Sequence, residues 1–207
     1  MLDFLIFTSR VDGIDQLSIR RADYDYVICA DGGVKPADAL GIKPDLIIGD
    51  FDSAEQPDME NLIRLSAEKD MTDSEAAIDL AVSRGADSIT VVGGLGGRFD
   101  HTMGNLGMLA KYTGVISSIR IIDGWNRIFI ADPGTVTVRK DDYKYLGAAA
   151  YGEQVTGLTM RGVAYPLDNY TLTNKTTRCV SNEIVGENAE ISFKTGRLLI
   201  IQSRDAG

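Results

Sequence analysis

Residues 26–53 read YVICADGGVKPADALGIKPDLIIGDFDS. Two apolar runs, 26–30 (YVICA) and 46–48 (LII), end alike. Asp31-Gly32-Gly33 follows the first, and Gly49-Asp50-Phe51-Asp52-Ser53 follows the second. A strand buried on both faces reads as an unbroken apolar run, which marks a parallel sheet covered by helices. Working outward, residues 4–7 (FLIF), 89–92 (ITVV) and 119–122 (IRII) are predicted strands of the same kind. Helical spacing lies between them. Residues 59–67 carry Met59, Leu62, Ile63 and Leu65; a second face has Ala76, Ala77, Leu80 and Ala81; a third has Met103, Leu106 and Ala110. This alternation predicts an α/β fold, a mostly parallel sheet with helices on both faces.

The pattern changes near Asp123. No helical spacing follows. Short strands are predicted at 127–130, 136–138, 143–149, 155–160, 170–173, 190–193 and 198–201, separated by turns such as Asp132-Pro133-Gly134. That spacing predicts an all-β sandwich. The expected division is an α/β domain over 1–122 and a β-sandwich over 123–207. Roughly 85 residues make a marginal domain, so the second is expected to pack on the first or on another subunit.

The chain has 207 residues, of which 44% are hydrophobic. No apolar run approaches the ~20 residues of a membrane span. The opening MLDFLIFTSR has an acid at position 3 and no basic region, and reads as a first strand rather than a signal peptide. Cys29 and Cys179 stand far apart in no metal-binding spacing, which suits a reduced, cytoplasmic protein. A net charge of −9 argues against a nucleic-acid partner. A phosphate substrate would need metal cations or a local basic group to offset repulsion.

In an open parallel sheet, ligands bind beyond the carboxyl ends of the strands. Here those ends carry acids and glycines. In extended backbone Asp50 and Asp52 point to one side, within reach of one Mg²⁺, which takes one or two carboxylates beside phosphate oxygens. A solvated turn with incidental acids is the plainer account. After residues 89–92 comes GGLGGRFDH (93–101), glycines leading into a predicted helix at 100–112. That context suits an anion cradle. Phe99 breaks a dinucleotide fingerprint, and no Lys-Ser or Lys-Thr makes it a Walker loop. Arg98 offers a fork of donors to phosphate, or else a surface ion pair; Asp100 is an acid of the site or a helix cap. Thr72 and Glu75 fit a capping box, placing Asp73 first in a helix. Asp70 and Asp73 would flank the turn. His101, the sole histidine, is read as a donor or packing residue, Cys29 as core, and Trp125 as packing at the domain junction or else stacking on a flat ligand. Taken alone, the D-x-D leaves phosphatases, glycosyltransferases and kinases open.

Three motifs together are more specific. CADGGVKPADALGIKPDLIIGDFDS (29–53), KDMTDSEAAIDLA (69–81) and GGLGGRFDHTMGN (93–105) resemble the thiamine pyrophosphokinase family in order and spacing. GLTMRGVAYPLDNYTL (157–172) and VSNEIVGENAEISF (180–193) resemble that family's C-terminal sandwich. The resemblance covers nearly the whole chain. It implies a homodimeric enzyme that transfers pyrophosphoryl from ATP to the thiamine hydroxyl, giving thiamine diphosphate and AMP. It implies catalytic roles for Asp50, Asp52, Asp70, Asp73 and Asp100. Asp50, Asp52 and Asp73 would hold Mg²⁺. Asp31, Gly96, Gly97 and Arg98 would bind ATP, and Ser181 and Asn182 would hold thiamine near a dimer interface. A related pterin-alcohol pyrophosphokinase and a non-catalytic nucleotide or thiamine sensor are the competing readings. The chain departs from the family at Cys179, where glycine is usual, and at Arg178, a cation unsuited to face a thiazolium.

Overall fold

The computed structural model describes residues 1–50, 61–66, 68 and 70–206. The chain divides into two compact units, Met1–Gly124 and Trp125–Gly207. The first contains, in order, β1 (Asp3–Phe7), β2 (Tyr26–Ala30), α1 (Val34–Ala39), β3 (Leu46–Gly49), β4 (Leu62–Arg64), α2 (Asp73–Ser83), β5 (Ser88–Val92), α3 (Phe99–Tyr112) and β6 (Ser118–Ile122). The strands lie side by side as β4-β3-β2-β1-β5-β6, every pair parallel. All five strands predicted for this unit form.

Burial on both faces is visible in β1. Leu5 and Phe7 join Val27, Cys29, Ile47 and Ala37 of α1 in one core cluster. Phe4 and Ile6, pointing the other way by alternation, are buried as well. α2 packs on β1, β2 and β3. It buries Ala76, Ala77, Ile78 and Ala81, and the three alanines let its axis come close to the sheet.

The helix predicted over 59–67 is overturned within its described part. Residues 62–64 form β4, whose Leu62 and Ile63 register with Ile47 and Ile48 of β3. A short apolar run fits either period, and an open sheet edge beside β3 decides it. Residues 51–60 lie outside the described part.

The second unit is all β among its described residues: β7 (Asn126–Ala131), β8 (Gly134–Arg139), β9 (Tyr145–Arg161), β10 (Leu167–Thr173), β11 (Asn182–Glu183), β12 (Asn188–Phe193) and β13 (Thr195–Ser203). The strands predicted at 143–149 and 155–160 are halves of the single strand β9. Its first half pairs with β13, from Tyr145↔Ser203 to Tyr151↔Arg197. Its second half pairs with β10 and β12, where Met160 meets Leu167 and Ile191. One strand thus serves both layers of the sandwich, bending at Gly152 (φ +115°). Leu146, Val155, Leu158, Met160, Leu172, Ile191, Phe193 and Leu198 fill the core between the layers.

Candidate active site

The strand order fixes where a ligand should bind. From β1 the chain builds outward through β2, β3 and β4, then returns to the other side of β1 with β5. The reversal between β1 and β5 is the switch point at which open α/β sheets bind ligands, beyond the carboxyl ends of the strands. A cavity of about 270 Å³ lies there. Thr8, Ser9 and Arg10 line it from the end of β1, and residues 94–98 from the end of β5. The N-terminal parts of two helices complete it, through the N-cap Thr72 and Ser74 of α2 and through His101 and Asn105 of α3. Helix N-termini present free backbone N–H groups and positive dipole ends, which favours an anion.

The glycine loop is held rigidly. The Gly94 N–H donates to the Arg10 carbonyl at 3.1 Å. The buried Asn105 donates from Nδ2 to the Gly94 carbonyl at 2.5 Å. Gly96 and Gly97 have φ of +76° and +66°. Both lie in the left-handed region that favours glycine, and a Cβ on Gly96 would displace the Asp12 carboxylate, whose Oδ2 it would approach to 2.4 Å.

Arg98 precedes α3 and pairs in a fork with Asp100, Nε to Oδ1 at 3.1 Å and Nη2 to Oδ2 at 2.5 Å. Asp100 Oδ1 also accepts the His101 N–H at 2.9 Å. Both side chains are exposed. The hydrogen bonds from Arg98 hold the Asp100 carboxyl below its ordinary range, and those to Asp100 raise the Arg98 guanidinium. Asp100 is not the helix cap; it sits in the first turn. At α2, Thr72 Oγ1 accepts the Glu75 N–H at 3.2 Å, and Asp73 is the first helical residue, as the capping pattern predicts.

Three elements bring carboxylates together. Asp31 follows β2 with a left-handed backbone (φ +47°), Asp50 follows β3, and Asp73 opens α2. One oxygen from each lies within 4.8 Å of the others. Gly49 permits this, because a Cβ there would stand 3.0 Å from Asp31 Cα. Asp31 Oδ1 is shielded from solvent and has no hydrogen-bond partner among the described residues. Such an atom calls for an ion or water, and three hard oxygen donors suit Mg²⁺. Asp52 lies outside the described residues. Asp70 is exposed and stands apart from this cluster. Thr8, Arg10 and Asn105 were not singled out from sequence; the polar run TSR directly after β1 is the signal that points to the first two.

In the second unit a cavity of about 200 Å³ is lined by Tyr165, Pro166, Leu167, Arg178, Cys179 and Asn182. Asn182 is buried, and its amide clamps backbone. Oδ1 accepts from the N–H groups of Tyr165 and Glu183, and Nδ2 donates to the Tyr165 carbonyl, all at 2.9 Å. Ser181 is exposed, with φ +58°. Arg178 lies over the Tyr170 ring, 4.9 Å from its centre. Burial raises the Cys179 thiol, and the Arg178 charge offsets part of that.

Residues 20–122 match the family model described as "Thiamin pyrophosphokinase, catalytic domain", and residues 135–198 match "Thiamin pyrophosphokinase, vitamin B1 binding domain". The chain is 34% identical over 191 residues to a thiamine pyrophosphokinase of Bacillus subtilis, covering 88% of this chain and 86% of that one. Its fold is similar to the crystal structure of a thiamin pyrophosphokinase family protein from Enterococcus faecalis, with TM-score 0.88, 32% identity and full coverage of both chains. A Bacillus subtilis thiamine pyrophosphokinase structure gives TM-score 0.87 at 29% identity, covering 99% of this chain and 100% of that one.

Proposed function

The chain belongs to the thiamin pyrophosphokinase family, and we propose that it transfers the pyrophosphoryl group of ATP to thiamine through the cleft at the β1–β5 switch point. The thiamine hydroxyl oxygen forms a bond to the β-phosphorus, the bond from that phosphorus to the α-phosphate oxygen breaks, and AMP leaves. The hydroxyl proton passes to a base. The observation that carries this reading is the meeting of Asp31, Asp50 and Asp73 at the ends of β2 and β3 and the start of α2, with Thr72 and Ser74, on either side of Asp73, lining the cavity that the glycine loop also lines.

Asp31, Asp50 and Asp73, with Asp52, are the residues suited to hold Mg²⁺. The bound ion would neutralise phosphate charge and shield it from these acids. The rest of the work is positioning and charge stabilisation, which dominates phosphoryl transfer. Gly96 and Gly97 allow backbone N–H groups near the phosphates. Arg98 adds a guanidinium, prealigned by Asp100. That same pairing makes Asp100 a weak base, since its pKa is lowered. Asp70, exposed on the turn before α2, is the other acid proposed to accept the hydroxyl proton. Residues 1–122 would thus serve as the catalytic domain.

Residues 123–207 would hold thiamine, with Asn182 positioning Tyr165 at the rim of the second cavity and Ser181 beside it. A homodimer would form through this unit, where Tyr165, Val180 and Val185 are 70%, 65% and 61% exposed. Two free, buried cysteines suit a cytoplasmic setting.

The deciding assay measures AMP formed from ATP with thiamine, against the same with hydroxymethyl-dihydropterin. Thiamine-dependent AMP is expected. Asp50→Asn and Asp52→Asn should each abolish it while circular dichroism stays unchanged. Normal turnover in both variants would leave these acids without a catalytic role.

A further inference from the structure

We infer that Arg10 is a substrate-contacting residue, a second guanidinium for the phosphates of ATP, held ready by Asp12. This rests on the nucleotide reading of the cleft. Arg10 lies on the loop leaving β1, across the switch point from the glycine loop, and lines the same cavity as Arg98. Its own carbonyl anchors Gly94. Its side chain lies along the glycine loop: a Cβ on Gly97 would meet Arg10 Cδ at 3.0 Å, Nε at 3.1 Å and Cζ at 3.4 Å. Asp12 grips one edge, with Nε 3.0 Å from Oδ1 and Nη2 3.4 Å from Oδ2. Among the described residues Nη1 has no hydrogen-bond partner, so one side of a prealigned planar fork is left for an anion.

A plain surface ion pair is the rival account, because the Arg10 side chain is 62% exposed. Three features weigh against it. The guanidinium lines a cavity rather than a convex surface. The loop beneath it is glycine at Gly97, where a Cβ would press on the Arg10 side chain at 3.0–3.4 Å. The chain carries net charge −9, and a polyanionic nucleotide entering this cleft meets few cations. Arg10 and Arg98 then flank the phosphates from the two strands of the switch point. Arg10 is set by Asp12 and Arg98 by Asp100, one carboxylate two residues onward in each case.

The test is steady-state kinetics of Arg10→Ala and Arg10→Lys, with calorimetric binding of ADP to the free enzyme. In Arg10→Ala, the KM for ATP and the dissociation constant for ADP should rise together by about tenfold, the loss of a charge-assisted fork. The KM for thiamine should hold, and Arg10→Lys should fall between parent and Arg10→Ala. If Arg10→Ala leaves ATP and ADP within twofold of the parent, the inference fails. It fails equally if thiamine is affected as much as ATP, which would mark a structural role. A parent enzyme that binds no ADP would sink the nucleotide reading itself, a result distinct from either.

Discussion

At the scale of single residues, one side chain in the second unit works against the cationic ligand proposed for it. The cavity lined by Tyr165 and Asn182 also takes in Arg178, and thiamine carries a positive thiazolium. The stack of Arg178 on Tyr170 directs the guanidinium at a ring, but its charge stays near. Removing one like charge at contact distance in water is worth ~1 kcal/mol, so Arg178→Gln should lower the KM for thiamine about fivefold. An unchanged or higher KM would place thiamine elsewhere. The two thiols allow a pH-based check. Burial, with Asp38 adding to it, pushes Cys29 up to about 12, and burial also raises Cys179. The reactive thiolate is therefore scarce until the pH climbs far above 8. Ellman's reagent at pH 8 should label neither thiol in the folded chain and both in guanidinium. Rapid labelling of the native protein would contradict the burial of whichever of Cys29 and Cys179 reacts.

Elements rather than residues decide how well the two helix N-termini stay at the cleft. α2 and α3 are tied along their flanks: Lys111 Nζ donates to Glu75 Oε1 at 2.9 Å and to Asp79 Oδ1 at 3.3 Å, and the Tyr112 hydroxyl donates to Asp79. Burial first, then the bond to Asp79, raises the Tyr112 phenol to about 12, so the hydroxyl stays a donor through neutral pH. Tyr112→Phe should cost about 1 kcal/mol, seen as a fall in the urea midpoint at constant m-value. Turnover should fall with it if the helices set the cleft, whereas unchanged turnover would make the tie purely structural. Legibility in the sequence also varied by element. Five of the six strands of the first unit were readable because both faces are apolar. β4 was not, since Leu62-Ile63 is too short to reveal a period and Leu65 completes a helical one by chance. β9 read as two strands because Gly152 and the polar residues 153–154 interrupt it, and only pairing on both sides shows it to be continuous. In the site, Asp31, Asp50, Asp73 and Arg98 stood out by following strands or opening helices. Arg10 did not, because its importance depends on β5 lying beside β1, a fact of strand order that local sequence does not carry.

For the whole molecule, charge is the governing quantity. A chain of net charge −9 that gathers three carboxylates at one point is built to need counter-ions when a polyphosphate arrives. Chelation with EDTA should therefore abolish AMP formation and excess Mg²⁺ restore it, while turnover that survives chelation would remove the carboxylate cluster from the reaction. The same cluster should make the metal-free enzyme bind ATP more weakly than the metal-loaded one, measurable by calorimetry. β1, the first strand in the chain, lies in the middle of its sheet and takes β5 as a neighbour, Asp3 pairing with Ser88. During synthesis at roughly 5–20 residues per second, its partner emerges only after roughly 4–17 s. For that interval the edge of β1 that β5 will cover has no strand partner from its own chain. Deleting the first seven residues would then remove the centre of the sheet rather than trim an end.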